Sequence, residues 1–345
     1  MNNYTLTHLH IYTLFTFIMK KQFIIIIINI IILYPLFGQN SKEYSNPVIN
    51  SDVPDPSIIR AKDGMFYVYG TSRLTNIMKS NNLVDWTFVG TAFTPETRPG
   101  FEKRAGLWAP DINYINGKYV LYYTLSKHMG WQTNGIGVAV SGNPEGPFTD
   151  LGEILRANKI GVINSIDQFY IEDNGKKYLF WGSLCGIFGI ELNDDGLSVK
   201  QDAEKIQIAG DGFEGTMIHK RGKYYYFFGS VGTCCEGITS TYQLVVGRAE
   251  SIFGTYVDKK GKPLMEEGYS VVVSKNKRFV GNGHCSEIVQ DDDGNDWILF
   301  HGYDFSDEKP TSRKLLLEQV KWDKKGWPYI GNGTPSLKAK RPVFN

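Results

Sequence analysis

The sequence predicts an all-β fold, a five-bladed β-propeller in a single domain. Two observations predict it: one hairpin pattern recurs five times, and its copies are spaced by the length of a propeller blade. The first copy spans residues 55–60, a turn at 62–64 and an apolar run at 65–70. A short apolar strand, an Asp-Gly turn and an aromatic, β-branched strand together are typical of a β-hairpin.

The five copies align on one isoleucine each: Ile59, Ile115, Ile171, Ile218 and Ile288. These positions are 56, 56, 47 and 70 residues apart, the span of a four-stranded blade with variable loops. Four positions before each isoleucine stands an ionisable residue: Asp55, Asp111, Asp167, Glu214 and His284. Because the inner strands of a propeller surround a channel, we expect these five side chains to form a ring at one channel mouth.

The N-terminal part, residues 1–38, is predicted to be a secretory signal peptide, with an upstream start extension before Met19. Two lysines follow Met19, an isoleucine-rich run covers residues 23–33, and small or polar residues follow at 38–41. The run is shorter than the roughly 20 apolar residues that a membrane span needs. We therefore expect a secreted or periplasmic protein, attached to a membrane only if the signal stays uncleaved.

Residues 39–345 are predicted to form the propeller. Their charges are mixed and the net charge of the chain is +1, so neither a nucleic-acid partner nor an acidic membrane partner is indicated. Aromatic residues make up 14% of the chain, enough to pack between blades and to supply platforms for sugars. Residues 45–53 are predicted to close the ring against residues 314–322 of the last blade, which leaves no open edge. We expect a monomer.

The four cysteines are Cys185, Cys234, Cys235 and Cys285. A secreted location permits disulfides, but the adjacent Cys234 and Cys235 cannot easily form two bridges in the usual geometry. No spacing of cysteine and histidine indicates a zinc site. We expect thiols that are buried or lie in loops.

Acidic residues on separate blades around one channel suit the cleavage of a glycosidic bond. Cleavage with inversion needs one carboxylate to deprotonate a water and one carboxylic acid to protonate the leaving oxygen. A third carboxylate beside the acid raises its pKa and keeps it protonated near neutral pH. Three of the ring residues therefore suffice for the reaction.

The chain resembles glycoside hydrolase family 43, whose members are five-bladed propellers that hydrolyse arabinans and xylans with inversion. Five motifs carry the resemblance, in residues 54–57 (PDPS), 108–111 (WAPD), 164–167 (NSID), 213–215 (FEG) and 281–284 (GNGH). The segment CCEGITSTY and the later run from Gly326 to Ser336 are similar to the arabinanase branch. The resemblance covers roughly residues 45–336.

The resemblance implies a role for each matching residue. Asp55 is expected to be the general base, Glu214 the general acid, and Asp167 the residue that tunes the acid and orients the sugar. The residues expected to line the sugar pocket are Trp108, Asn164 and Ser183. His284 is expected to hold a hydrated cation, calcium, in the channel, although a structural histidine is the rival interpretation because calcium prefers oxygen ligands. Asp111 is expected to hold neighbouring groups through hydrogen bonds.

The expected function is endo-acting hydrolysis of α-1,5-linked arabinan, with a plant cell-wall polysaccharide, arabinan or arabinoxylan, as partner. Two alternatives remain: an exo-acting α-L-arabinofuranosidase or β-xylosidase, and a carbohydrate-binding propeller without catalysis. Gln168 and Thr216 stand where the family usually has proline, which affects pocket shape but no carboxylate. Loops near residues 94–107, 127–134 and 232–240 decide between endo and exo action.

Overall fold

Five antiparallel sheets of consecutive strands follow one another along the chain, and their first strands lie side by side around a channel. The computed structural model describes residues 42–127, 130–307 and 310–345. The predicted signal peptide lies outside these residues. Within them the fold is the predicted five-bladed propeller.

The first two blades follow a short strand β1 (Glu43–Ser45). Blade 1 consists of β2 (Ser57–Arg60), β3 (Phe66–Gly70), β4 (Asn76–Ser80) and β5 (Thr87–Thr91). Blade 2 consists of β6 (Gly106–Ile115), β7 (Lys118–Ser126), β8 (Gly135–Ser141) and β9 (Thr149–Arg156). A one-turn helix, α1 (Ala157–Ile160), follows it.

The other three blades repeat the same up-and-down order. Blade 3 consists of β10 (Phe169–Asp173), β11 (Lys176–Trp181), β12 (Cys185–Leu192) and β13 (Ile206–Asp211). Blade 4 consists of β14 (Glu214–Arg221), β15 (Tyr224–Val231), β16 (Gln243–Ala249) and β17 (Ser270–Val273), with 3₁₀ turns at Gly237–Thr239 and Leu264–Glu266. Blade 5 consists of β18 (Phe279–Cys285), β19 (Val289–Gln290), β20 (Asp296–Asp304), β21 (Lys314–Trp322) and β22 (Pro328–Tyr329).

The ring closes through the two ends of the described chain, partly as predicted. Val48 donates a backbone hydrogen bond to Leu315 of β21, and Ile49 pairs with the same residue. This contact is a single bridge and not a strand, because the regular pairing is made by β1 with the C-terminal β23 (Lys338–Lys340). The segment at Val48 and Ile49 is thereby attached to β21 of blade 5, and β1 and β23 form a separate two-stranded sheet.

Aromatic side chains fill the wedges between blades, as their number predicts. Tyr122 of blade 2 stacks on Tyr170 of blade 3, with ring centroids 5.8 Å apart. His219 of blade 4 stacks on Trp322 of blade 5 at the same distance. Offset aromatic pairs add about 0.5–1.5 kcal/mol each beyond the area that they bury, so these wedges hold the blades at fixed angles.

Candidate active site

A positive backbone φ turns the chain at or near the start of each inner strand. The residues that adopt it include Asp55 (52°), Ala109 (42°), Asp167 (57°), Gly215 (60°) and His284 (47°). A positive φ costs free energy in non-glycine residues and is retained where the surrounding fold imposes it, commonly at functional sites. This turn takes the chain out of the strand direction, so the side chains of Asp55, Asp167 and His284 reach the mouth of the channel.

One pocket of about 400 Å³ contains Asp55, Asp167 and Glu214 together. Trp108, Asn164, Ser183 and His284 line the same pocket. The structure therefore brings all seven sequence-predicted site residues together. A pocket of this size falls within the range of small-ligand sites.

Asp111 is the exception in the predicted ring, because it does not line this pocket within the described residues. The register of β6 shifts between Trp108 and Asp111, so Ala109 takes the turned position that an aspartate takes in blades 1 and 3. Asp111 lies buried deeper in the channel, where its Oδ2 accepts a hydrogen bond from the Tyr170 backbone N–H at 2.7 Å. The prediction of a ring of five ionisable residues is therefore wrong for blade 2. The contact with Tyr170 agrees with the hydrogen-bonding role expected of Asp111.

Asp111 also lies near a second acid, Glu287 of blade 5, and the titration of one carboxyl group depends on the other. Two carboxyl groups this close do not both ionise readily, so one of them keeps its proton. Burial, followed by the charge of Glu287, raises the pKa of Asp111 well above its usual value. Glu287 also accepts hydrogen bonds from the Ser57 hydroxyl (3.0 Å) and the Ile58 N–H (2.9 Å), so the pair joins blades 1, 2 and 5.

Three basic groups surround the carboxylate of Asp55. The Arg313 guanidinium Nη1 lies 3.0 Å from Asp55 Oδ1, and the Nδ1 atoms of His284 and His301 lie 3.3 Å and 3.4 Å from it. Burial acts to raise the pKa of Asp55, but Arg313, the two histidines and the Thr71 hydroxyl outweigh it and hold the pKa below its usual value. Asp55 is therefore ionised in the free site, as a general base must be.

Asp167 and Glu214 form a carboxyl pair on neighbouring blades. Burial, followed by the negative charges of Glu214 and Asp55, raises the pKa of Asp167 well above its usual value. The Gly215 N–H donates to Asp167 Oδ2 at 3.2 Å, and the Ser183 hydroxyl donates to Glu214 Oε2 at 2.7 Å. The raised pKa of Asp167 means that the pair keeps a proton. Asp167 is buried and Glu214 is half-buried, and both line the pocket.

The predicted sugar-binding residues are held in place by neighbouring loops. The Asn164 side chain donates to the Ser183 carbonyl at 3.0 Å and accepts from Asn134 at 2.9 Å. Gln168, at the position of the family's proline, joins blades 2 and 3 by bonding the Ala109 carbonyl and the Thr124 hydroxyl. This departure from the family pattern therefore replaces a rigid ring with hydrogen bonds across the blade interface.

The groups around His284 do not suit calcium. His301 accepts the Asp55 N–H at Nδ1 (3.1 Å), so its proton is on Nε2 and it has no lone pair free for a metal. Asp55 is engaged by Arg313. No group of three or more His, Cys, Asp or Glu within the described ranges is arranged to hold a metal ion. Calcium takes six to eight oxygen ligands. An ion at His284 would therefore depend on water molecules for most of its ligands.

Sequence reasoning missed several residues of the pocket. Among them are Thr71, Leu184, Tyr242 and Arg313, whereas Trp131, Cys234 and Cys235 lie in the loops that were expected to shape the site. His301, in β20 of blade 5, contacts Asp55 and stacks on Tyr242 at 5.8 Å. Arg313 precedes the last long strand and belongs to no repeated motif, so only the folded chain brings it to Asp55.

One pocket of this propeller contains an ionised carboxylate, a carboxyl pair that retains a proton, and aromatic rings. Together these groups define a glycosidase. A family model, described as glycosyl hydrolases family 43, matches residues 44–328. The chain belongs to this family, as its motifs predicted.

Similar proteins agree with this assignment. An extracellular exo-α-(1→5)-L-arabinofuranosidase of Cellvibrio japonicus is 34% identical over 307 residues, covering 81% of this chain and 86% of its own. An extracellular endo-α-(1→5)-L-arabinanase of Bacillus subtilis is 32% identical, covering 81% and 88%. Among solved structures, a Cellvibrio cellulosa α-L-arabinanase complexed with arabinohexaose has a TM-score of 0.75 at 32% identity, covering 81% of this chain and 96% of its own.

Proposed function

We propose that this protein is an endo-acting, inverting glycosidase that cleaves α-1,5-linked arabinofuranose chains. The observation that carries the proposal is the pocket that holds Asp55, Asp167 and Glu214 in a chain of this family. The relatives named for arabinan cleavage, at 32–34% identity, support arabinan as the substrate.

Asp55 acts as the general base. Its ionised carboxylate takes a proton from a water, whose oxygen attacks the anomeric carbon as the glycosidic bond breaks. Arg313 keeps this carboxylate charged in spite of its burial. The attack from the face opposite the leaving group inverts the anomeric configuration.

Glu214 acts as the general acid and gives its proton to the leaving oxygen. It is the more exposed member of the carboxyl pair in the pocket, and the acid must contact the bond that breaks. Asp167 is the more buried member, and burial followed by the charge of Glu214 raises its pKa, so the pair retains a proton. Trp108 and Trp131 offer apolar ring surface in the pocket, on which a furanose can stack, while Asn164 offers polar contacts.

Exo action is the second candidate, because the exo-acting Cellvibrio japonicus relative is as similar to this chain as the endo-acting one. Product analysis separates the two. With linear arabinan, we expect a ladder of oligosaccharides and an early fall in viscosity. Arabinose as the first product would assign exo action, release of xylose from xylan would assign a xylosidase, and binding without products would leave a carbohydrate-binding propeller.

We also propose that the chain is exported and acts as a monomer on plant cell-wall polysaccharide. The two curated relatives are named extracellular enzymes, and the basic and apolar N-terminal pattern agrees with export. N-terminal sequencing of the secreted protein tests this, with a mature chain beginning near residue 39 as the expected result.

A further inference from the structure

Two adjacent thiols lie in the pocket beside the proposed catalytic acids. Cys234 is half-buried and Cys235 is exposed, and neither forms a disulfide. Both line the same pocket as Asp55 and Glu214. The proposed hydrolysis uses neither of them.

The two side chains contact each other and the arginine that holds the base. The two thiols are adjacent in the chain and influence each other's pKa, and Arg313 Nη1 lies 3.8 Å from Cys234 Sγ. The same nitrogen is the one that lies 3.0 Å from Asp55 Oδ1. Whatever binds the two sulfur atoms therefore lies next to the ion pair of Arg313 with Asp55.

The loop presents this pair in a fixed conformation. Thr233 and Thr241 exchange backbone-to-hydroxyl hydrogen bonds of 2.9 Å and 3.1 Å, which close the base of the loop. The Glu236 N–H donates to the Ser240 hydroxyl at 2.9 Å inside it. Cys235 itself has a φ of 69°, which turns its side chain relative to that of Cys234.

The surroundings also make one sulfur reactive. The neighbouring Cys234 thiol, followed by the charge of Arg313, lowers the pKa of Cys235 against the opposing effect of desolvation. The thiolate is the nucleophilic form of cysteine. A direct disulfide between neighbours is strained, because their Cα atoms are about 3.8 Å apart whereas disulfides usually span about 4.4–6.8 Å.

We propose that Cys234 and Cys235 form a dithiol site for trivalent arsenicals. One arsenic atom bridges the two sulfurs and so closes a wider ring than a disulfide does. With an organic arsenoxide, two As–S bonds form, the arsenic–oxygen bond breaks, and both thiol protons leave with the oxygen as one water. The oxidation state of arsenic does not change, so no oxidant or reductant takes part.

The test uses the full chain, reduced with a thiol that is then removed, and phenylarsine oxide as the probe. Intact mass should show one phenylarsenic group per chain. Cys234→Ser and Cys235→Ser should each abolish the adduct, whereas the matched control Cys185→Ser should keep it, because Cys185 lies outside this pocket lining. Dimercaptopropanol should remove the group and a monothiol in equal sulfur concentration should not.

No adduct on the wild-type chain, an adduct that persists in both serine variants, or one lost in Cys185→Ser would each overturn the proposal. The thermal midpoint of each variant shows whether it is folded. Measuring the intact mass requires no catalysis, so its result does not depend on whether the chain cleaves arabinan. If both proposals hold, the adduct should also lower arabinan cleavage at least tenfold, and arabino-oligosaccharide should slow its formation.

Discussion

Arg313 holds the carboxylate of Asp55 at 3.0 Å, across 258 residues of sequence, and thereby decides the charge of the proposed base. Burial alone raises the pKa of a carboxyl group. At Asp55 the guanidinium and two imidazoles reverse that effect. The distance between these two side chains therefore links the last blade to the chemistry of the first.

Replacing Arg313 by Gln should move the acidic limb of the activity profile to higher pH. Without the guanidinium, the largest influence left on Asp55 is burial, which raises its pKa, so the base is protonated at pH values where the wild type works. The loss of kcat/KM should be larger at pH 5 than at pH 8. Arg313→Lys, which keeps the charge, should shift the limb less. An acidic limb that does not move in Arg313→Gln would contradict this account of the base.

Asp111→Asn should stabilise the protein increasingly as pH rises. The pKa of Asp111 is raised in the folded chain, so its contribution to stability is complete below its unfolded pKa and is lost as pH rises toward the folded value. Asparagine keeps the acceptor for the Tyr170 N–H and a donor toward Glu287, with no proton to lose. Thermal midpoints at pH 4 and pH 8 measure the difference, and the gain should be larger at pH 8.

Asp111→Ala is the control for that prediction. It leaves the buried Tyr170 N–H without its acceptor, which costs about 1–3 kcal/mol. It should therefore lower the thermal midpoint at both pH values. Equal midpoints for wild type and Asp111→Asn across this range would show that the buried pair holds no extra proton.

Ser183→Ala should lower kcat more than it changes KM. The hydroxyl of Ser183 is 2.7 Å from Glu214 Oε2 and positions that carboxyl group. A hydrogen bond to a neutral carboxyl group contributes about 0.5–1.5 kcal/mol, equivalent to about twofold to tenfold in rate. Steady-state kinetics on arabino-oligosaccharides measure both constants. A rise in KM with an unchanged kcat would instead assign Ser183 to sugar binding.

The predicted calcium ion has a simple test. If an ion is bound at His284, incubation with EDTA followed by desalting should lower both activity and the thermal midpoint, and calcium should restore them. An unchanged midpoint and activity would refute the sequence-based prediction, in agreement with the shortage of oxygen ligands around His284.

The repeat predicted the architecture because each blade repeats the same local chemistry. A turn between two apolar runs specifies a hairpin wherever it occurs, so five copies in order were enough for five blades. The positions of Asp55 and Asp167 followed, since their inner strands begin in the same register. Asp111 did not follow, because β6 starts earlier, at Gly106, and its register shifts between Trp108 and Asp111, around Pro110.

Contacts between segments that are distant in the chain could not be predicted from the sequence, for a different reason. Arg313 and Tyr242 enter the pocket from blades 5 and 4, and neither belongs to the repeated hairpin. The pairing of Asp111 with Glu287 likewise depends on how blades 2 and 5 face each other across the channel. Residue type at one position carries no information about such neighbours until the blades are packed.

The assignment of Asp55 as base and Glu214 as acid is tested most directly by changing the leaving group of the substrate. Glu214→Gln and Asp55→Asn are compared on an arabino-oligosaccharide and on an aryl arabino-oligosaccharide whose phenol needs no protonation to leave. We predict that Glu214→Gln loses at least a thousandfold in kcat/KM on the first and recovers most of it on the second, because only the acid becomes dispensable. Asp55→Asn should stay inactive on both. Recovery in Asp55→Asn, or none in Glu214→Gln, would contradict the assignment.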